Sequence, residues 1–228
     1  MSERSADVDA IIAGAGMGTR LGRGPKAFLT LGGATLLARA VAAARGACSR
    51  VIVAVPDADI ARARELVGAS DVAIIAGAQR RIDTLRALVE ASRAPWLLVH
   101  DPVHPFVTAQ LARDVVAAAK RHGVAAAALK VVDFLYDEEG ALRGAPGELL
   151  TVQKPIAFRR EAVVRGFAVY DRETHGPNDR DPGALEIVER GGERPMFVPG
   201  HPVNWKITTE ADYELAQRVV GDVVDGRI

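Results

Sequence analysis

The stretch Val8–Lys26, VDAIIAGAGMGTRLGRGPK, decides how the rest of the chain is read. Val8 to Ala13 is a short apolar run, the pattern of a strand buried on both faces. It runs into Gly14, Gly16 and Gly18, which permit backbone paths that residues with a Cβ resist. Such a loop can present N–H groups to phosphate oxygens. Arg20 and Lys26 add two cations. Amides, Arg and Lys together suit a triphosphate, whose charge must be neutralised before an anionic nucleophile approaches. Two other phosphate loops do not fit. G-x-x-x-x-G-K-[ST] lacks its lysine, and G-x-G-x-x-G fails because Thr19 stands at the third glycine.

Outward from this loop, strands alternate with helices. Val51–Val55, Val72–Ile75 and Trp96–His100 read as further strands. Thr35–Arg45, Ala58–Val67, Ile82–Ala91 and Thr108–His122 carry helical spacing, with Thr108 as an N-cap. Val124–Val132 is ambiguous by periodicity, and its end reads as a strand. The alternation predicts an α/β, Rossmann-like, mostly parallel twisted sheet with helices on both faces. Ligands in such sheets bind outside the carboxyl ends of the strands. Residues 133–150 carry Gly140, Gly144, Gly147 and Pro146 without a helical stripe, and read as a small protruding β-arm. Residues 171–183 are polar and turn-rich, which predicts a mobile loop. Glu210–Val220 closes the chain as a helix capped by Thr208 or Thr209. The reading is one domain over residues 1–228 with the arm inside it.

Composition excludes several classes. Of 228 residues, 49% are hydrophobic and 25% charged, which rules out global disorder. Lys+Arg and Asp+Glu both number 29, so a generally basic nucleic-acid binder is not expected. Cys48 alone cannot form an internal disulfide. No 18-residue apolar run indicates a membrane span, and the first ten residues are too polar for a signal peptide. A cytoplasmic protein is expected.

Further segments carry a resemblance. AGAGMGTRL…PKAFL is similar to the A-A-G-x-G-x-R-[ML]…P-K-[QA]-[FY] signature of sugar-phosphate nucleotidyltransferases. Ala76–Thr84, AGAQRRIDT, resembles the G-G-x-x-R-x-x-[ST] motif of 2-C-methyl-D-erythritol 4-phosphate cytidylyltransferases. Leu98–Pro105, LVHDPVHP, resembles their V-L-V-H-D-A-A-R-P, and Val152–Phe158, VQKPIAF, their A-Q-T-P-Q-x-F. Asn204–Thr209 with Asp212 resembles N-[IF]-K-[IV]-T-x-x-x-D. The segments follow the family's order and cover nearly the whole chain.

The resemblance implies transfer of CMP from CTP to a polyol phosphate, with release of pyrophosphate. Arg20, Lys26 and Lys206 match the family's catalytic cations. The amides of Gly14, Ala15, Gly16 and Gly18 are expected around the phosphates. Ala13, Gly14, Gly77, Ala78 and Thr84 fall where the family recognises cytosine and ribose. Asp101 matches the aspartate near the ribose and the Mg²⁺-bound phosphates, and is the implied protein contact to magnesium. A homodimer through the arm is also implied. Taken alone, Thr84 reads equally as a helix cap. Asp101 has an Asp turn, and Lys206 beside Trp205 a snorkelling lysine, as the lesser alternative. His100 reads as a structural imidazole and Cys48 as an inert small hydrophobe.

The acceptor half departs from the pattern. The family's A-A-R-P arginine is His104, which lacks the bidentate fork of Arg. The threonine of A-Q-T-P is Lys154. The arm arginine, which the family supplies across the dimer, is assigned to Arg143. The family's T-D-E-A-S aspartate falls to Asp179 or Asp181, and Asp179 is taken for the acceptor. The expected substrates are CTP and 2-C-methyl-D-erythritol 4-phosphate. The alternatives are another polyol or sugar phosphate, such as ribitol 5-phosphate, or a non-catalytic nucleotide-binding homologue.

Overall fold

The computed structural model describes residues 5–16, 18, 22–176 and 179–227. Chain order begins with β1 (Ser5–Ala13), the short pair β2 (Thr30–Leu31) and β3 (Ala34–Thr35), then α1 (Leu36–Arg45) and β4 (Cys48–Val55). Next come α2 (Ile60–Val67), β5 (Val72–Ala76), α3 (Arg81–Ala91), β6 (Trp96–His100), α4 (Ala109–His122) and β7 (Val124–Lys130). The arm pair β8 (Leu135–Tyr136) and β9 (Leu142–Gly144) leads into β10 (Leu150–Arg159). The chain continues through α5 (Arg160–Tyr170), α6 (Ala184–Arg190), β11 (Met196–Pro199) and α7 (Glu210–Val224).

Among the described residues the main sheet has seven strands in the order β11-β7-β10-β6-β1-β4-β5. All neighbouring pairs are parallel except those of β10, which runs antiparallel to β6 and β7. Strand alternation divides the core. Val8, Ala10 and Ile12 of β1 and Val51, Val53 and Val55 of β4 pack under α1, α2 and α4. Ile11, Ile52 and Ala54 face the other way, against α3, α5 and α6. Each fully buried Ile, Leu or Val contributes roughly 1.5–3 kcal/mol relative to exposure. α7 forms a third cluster, in which Tyr213, Ala216 and Val220 cover Leu31, Leu36, Phe106 and Ile207.

This helix arrangement positions the site. α1 and α2 lie on one face while α3 crosses to the other, so the chain leaves β1 in one direction and returns on its far side at β6. The carboxyl ends of β1 and β6 therefore diverge at a topological switch point, where ligands bind in open α/β sheets.

The structure corrects several readings. α3 starts at Arg81 with Arg80 at its N-cap position, so Thr84 lies inside the helix and is no cap. β10, α5, α6 and β11 were not read from the sequence. Cys48 is the first residue of β4 and is buried. Thr209, not Thr208, caps α7, accepting from the Asp212 N–H. No helix among the described residues is long and apolar enough to cross a membrane.

Candidate active site

A cavity of about 280 Å³ opens at the switch point. One wall is the glycine loop: Ala13 to Gly16, Gly18 and Lys26. The opposite wall is Ala78, Gln79, Arg81 and Thr84, and the floor is Asp101 to Val103 at the end of β6. Lys206 closes the rim from the far end of the chain. Asp101 is the one carboxylate among the described residues that line it.

The loop's geometry follows from its glycines. Gly18 has φ +65°, and a Cβ there would stand 2.4 Å from the Gly24 oxygen. Gly77 approaches the loop so closely that a Cβ would stand 2.3 Å from the Cβ of Ala15. The Gly14 N–H donates to the Ala54 oxygen at 2.8 Å, which extends the sheet. That amide is spent on backbone, which corrects the expectation that every amide from Gly14 onward faces phosphate. Arg20 lies outside the described residues.

Lys26 Nζ donates to the carbonyls of Thr208 at 2.7 Å and Ile207 at 3.2 Å. These bonds bring the glycine loop and Lys206's segment to one side of the cavity. Thr84 is buried and works on the opposite wall. Its Oγ1 accepts from the Ala78 N–H at 2.9 Å and lies within hydrogen-bond reach of the Ala78 and Arg80 carbonyls. It therefore shapes the turn that lines the cavity.

A polar cluster gathers around the floor residue Asp101, with Lys154, His100 and His104 buried beside it. Asp101 Oδ2 stands 3.6 Å from Arg81 Nη2 and 3.9 Å from Lys154 Nζ. Burial pushes the Asp101 carboxyl up, but Lys154 and Arg81 outweigh it and hold it below its ordinary value. Burial lowers Lys154, and Asp101 only partly restores it. His104 is buried, with Nδ1 3.2 Å from the Asn204 carbonyl oxygen. Burial brings it down to about 4 despite Asp101, so at neutral pH it carries no charge. Burial likewise takes His100 to about 3.

Lys154 and His104 thus reach the cluster around Asp101, whereas Arg143 and Asp179 do not reach the cavity wall. Arg143 is exposed in the arm and pairs with Asp137. Asp179 accepts from the Gly176 N–H at 2.8 Å within its own loop. Asp181 instead contacts Arg80 and the start of α3, which ties that end of the loop to the cavity wall. Arg81 and Gln79 were missed as lining residues. Arg81 takes the arginine place of the G-G-x-x-R-x-x-[ST] spacing in the quoted AGAQRRIDT segment, and that spacing was the signal that could have found it.

A family model described as IspD: 2-C-methyl-D-erythritol 4-phosphate cytidylyltransferase matches residues 8–222. A Deinococcus radiodurans protein named 2-C-methyl-D-erythritol 4-phosphate cytidylyltransferase is 37% identical over 220 residues, covering 95% of this chain and 91% of that one. A protein of the same name from Rhodococcus opacus strain B4 is 38% identical over 233 residues, covering 96% and 98%. The crystal structure of the cytidylyltransferase of that name from Thermus thermophilus superposes with TM-score 0.77 at 30% identity, covering 93% of this chain and 98% of that one. Similarity of this extent runs through the glycine loop, the α3 wall and the Lys206 segment alike, and the chain belongs to the 2-C-methyl-D-erythritol 4-phosphate cytidylyltransferase family.

Proposed function

We propose that the cavity binds CTP and that the protein transfers CMP to 2-C-methyl-D-erythritol 4-phosphate. An oxygen of the acceptor phosphate attacks the α-phosphorus. The new P–O bond forms as the bond from the α-phosphorus to the oxygen bridging the β-phosphate breaks, and pyrophosphate leaves. Both reactants are anions, so the catalytic task is charge stabilisation and positioning. Lys26 and Lys206 supply cations from two distant parts of the chain, and Arg20 belongs to the same loop as Lys26. The observation that carries the reading is the bond from Lys26 to the carbonyls just after Lys206, which gathers both lysines at the glycine loop.

Magnesium belongs to the proposal. Among the described residues no group of three or more His, Cys, Asp or Glu side chains is placed to hold a metal. One lining carboxylate fits an ion held mainly by phosphate oxygens and water, with Asp101 as its protein ligand. When bound, the ion supplies neutralisation of phosphate charge. A homodimer is also proposed, supported by the exposed apolar side chains of the arm. So is a cytoplasmic location, supported by the buried thiol of Cys48 and the lack of any disulfide partner.

A neutral His104 and a buried Lys154 at the acceptor side favour a second reading, in which the acceptor is a different polyol phosphate. The test is pyrophosphate release with CTP, Mg²⁺ and a panel including 2-C-methyl-D-erythritol 4-phosphate and ribitol 5-phosphate. The first reading expects turnover with the methylerythritol phosphate, reduced by about 10² in Lys26→Ala. Turnover only with another acceptor establishes the second. CTP binding without release from any acceptor discards both.

A further inference from the structure

The cavity wall opposite the glycine loop ends at the start of α3, and that helix has no cap of its own. Arg80 holds the N-cap position, and its side chain makes no capping bond. A helix start leaves its first N–H groups without intrahelical partners. Here the acceptor comes from 100 residues further along the chain. Asp181, in the loop before α6, accepts from the Arg81 N–H through Oδ2 at 2.8 Å. Its Oδ1 accepts from Arg80 Nε at 3.1 Å and Nη2 at 2.8 Å. Arg80 Nη2 also donates to the Tyr170 hydroxyl at 2.9 Å, at the end of α5.

Arg80 is half exposed, so its ion pair alone contributes little. The bond to the helix N–H is different in kind. It satisfies a first-turn donor and places negative charge at the positive end of the helix dipole. It also fixes the residue whose side chain lines the cavity 3.6 Å from Asp101. Burial pushes the Asp181 carboxyl up, but Arg80 and the Arg81 N–H outweigh it, so it stays ionised at neutral pH.

We propose that Asp181 is a positioning residue for the nucleotide cavity, clasping the start of α3 so that Arg81 and the turn before it keep their place on the wall. The inference rests on the reading of this cavity as the CTP site. It gives Asp181 a role away from the acceptor.

The experiment measures pyrophosphate release against CTP concentration, with Tm, for the wild type, Asp181→Ala and Asp181→Asn. Asp181→Ala is expected to raise KM for CTP about fivefold, while kcat stays within about twofold. Asp181→Asn keeps a side-chain oxygen for the Arg81 N–H and is expected to recover most of the loss. An unchanged KM in Asp181→Ala overturns the proposal. So does a fall in kcat and Tm with KM unmoved, which marks a purely structural role. An Asn variant as poor as Ala also overturns it. A wild type that neither binds CTP nor releases pyrophosphate removes the reading of the cavity itself. Wild-type turnover with unmoved variants removes Asp181 alone.

Discussion

At the scale of single residues, the buried cluster around Asp101 has a pH signature. His100 and His104 are held neutral by burial, with values of about 3 and 4 against an ordinary 6.5. The unfolded chain binds those protons below pH 6.5 and the folded chain does not. Stability is therefore complete above 6.5 and falls as pH drops from 6.5 toward 4. The slope is roughly 1.4 kcal/mol per pH unit for each histidine. Thermal melts at pH 7 and pH 5 should show the fall, and His104→Asn should show a shallower one. Equal slopes in the two proteins would remove His104 from this account. The sequence already marked His104 and Lys154 as departures from the family pattern, because residue type alone shows a lost or gained charge. It could not show that both are buried around one carboxylate.

At the scale of elements, the turn before α3 and the glycine loop fit against each other through Gly77. Its Cβ position is 2.3 Å from the Cβ of Ala15, so Gly77→Ala must push the two walls apart. Overpacking of this kind costs about 1–3 kcal/mol. CTP affinity should fall about tenfold or more as the walls shift, because catalytic sites lose much from displacements of about 1 Å. A CTP titration and a melt check both effects, and wild-type affinity in the variant would refute the argument. β1, β4 and β6 were legible as apolar runs ended by Gly or Pro, and Thr108 was legible as a cap because Ser/Thr before a helical stripe has a local cause. β10 was not. Pro155 removes a ladder donor and normally argues against a central strand. Here the pairing with β7 shifts register between Gln153 and Ile156, and this irregularity accommodates it.

For the whole molecule, the arm is the feature that a lone chain does not explain. Its β8–β9 hairpin touches little of the core, yet Phe134 is 60% and Tyr136 62% exposed, and Val132 at its base 77%. Clustered exposed apolar side chains mark an interaction surface. Replacing Phe134 and Tyr136 by Glu should halve the solution mass seen in sedimentation, with the melting temperature of the protomer little changed. A wild type that sediments as a monomer would end the dimer proposal. The alternation made β1, β4, β5 and β6 and the helices α1 to α4 readable, but not α5, α6 or β11. Nor was the antiparallel reversal at β10 readable, because strand direction is set by long-range pairing and leaves no local trace.

Lys26 holds the Ile207 and Thr208 carbonyls across 181 and 182 residues of chain. During synthesis the glycine loop stays without that clasp until residues 207 and 208 have been added, so no fragment ending before them has the finished pocket. A chain terminated before Lys206 has the loop without the lysine that closes its rim.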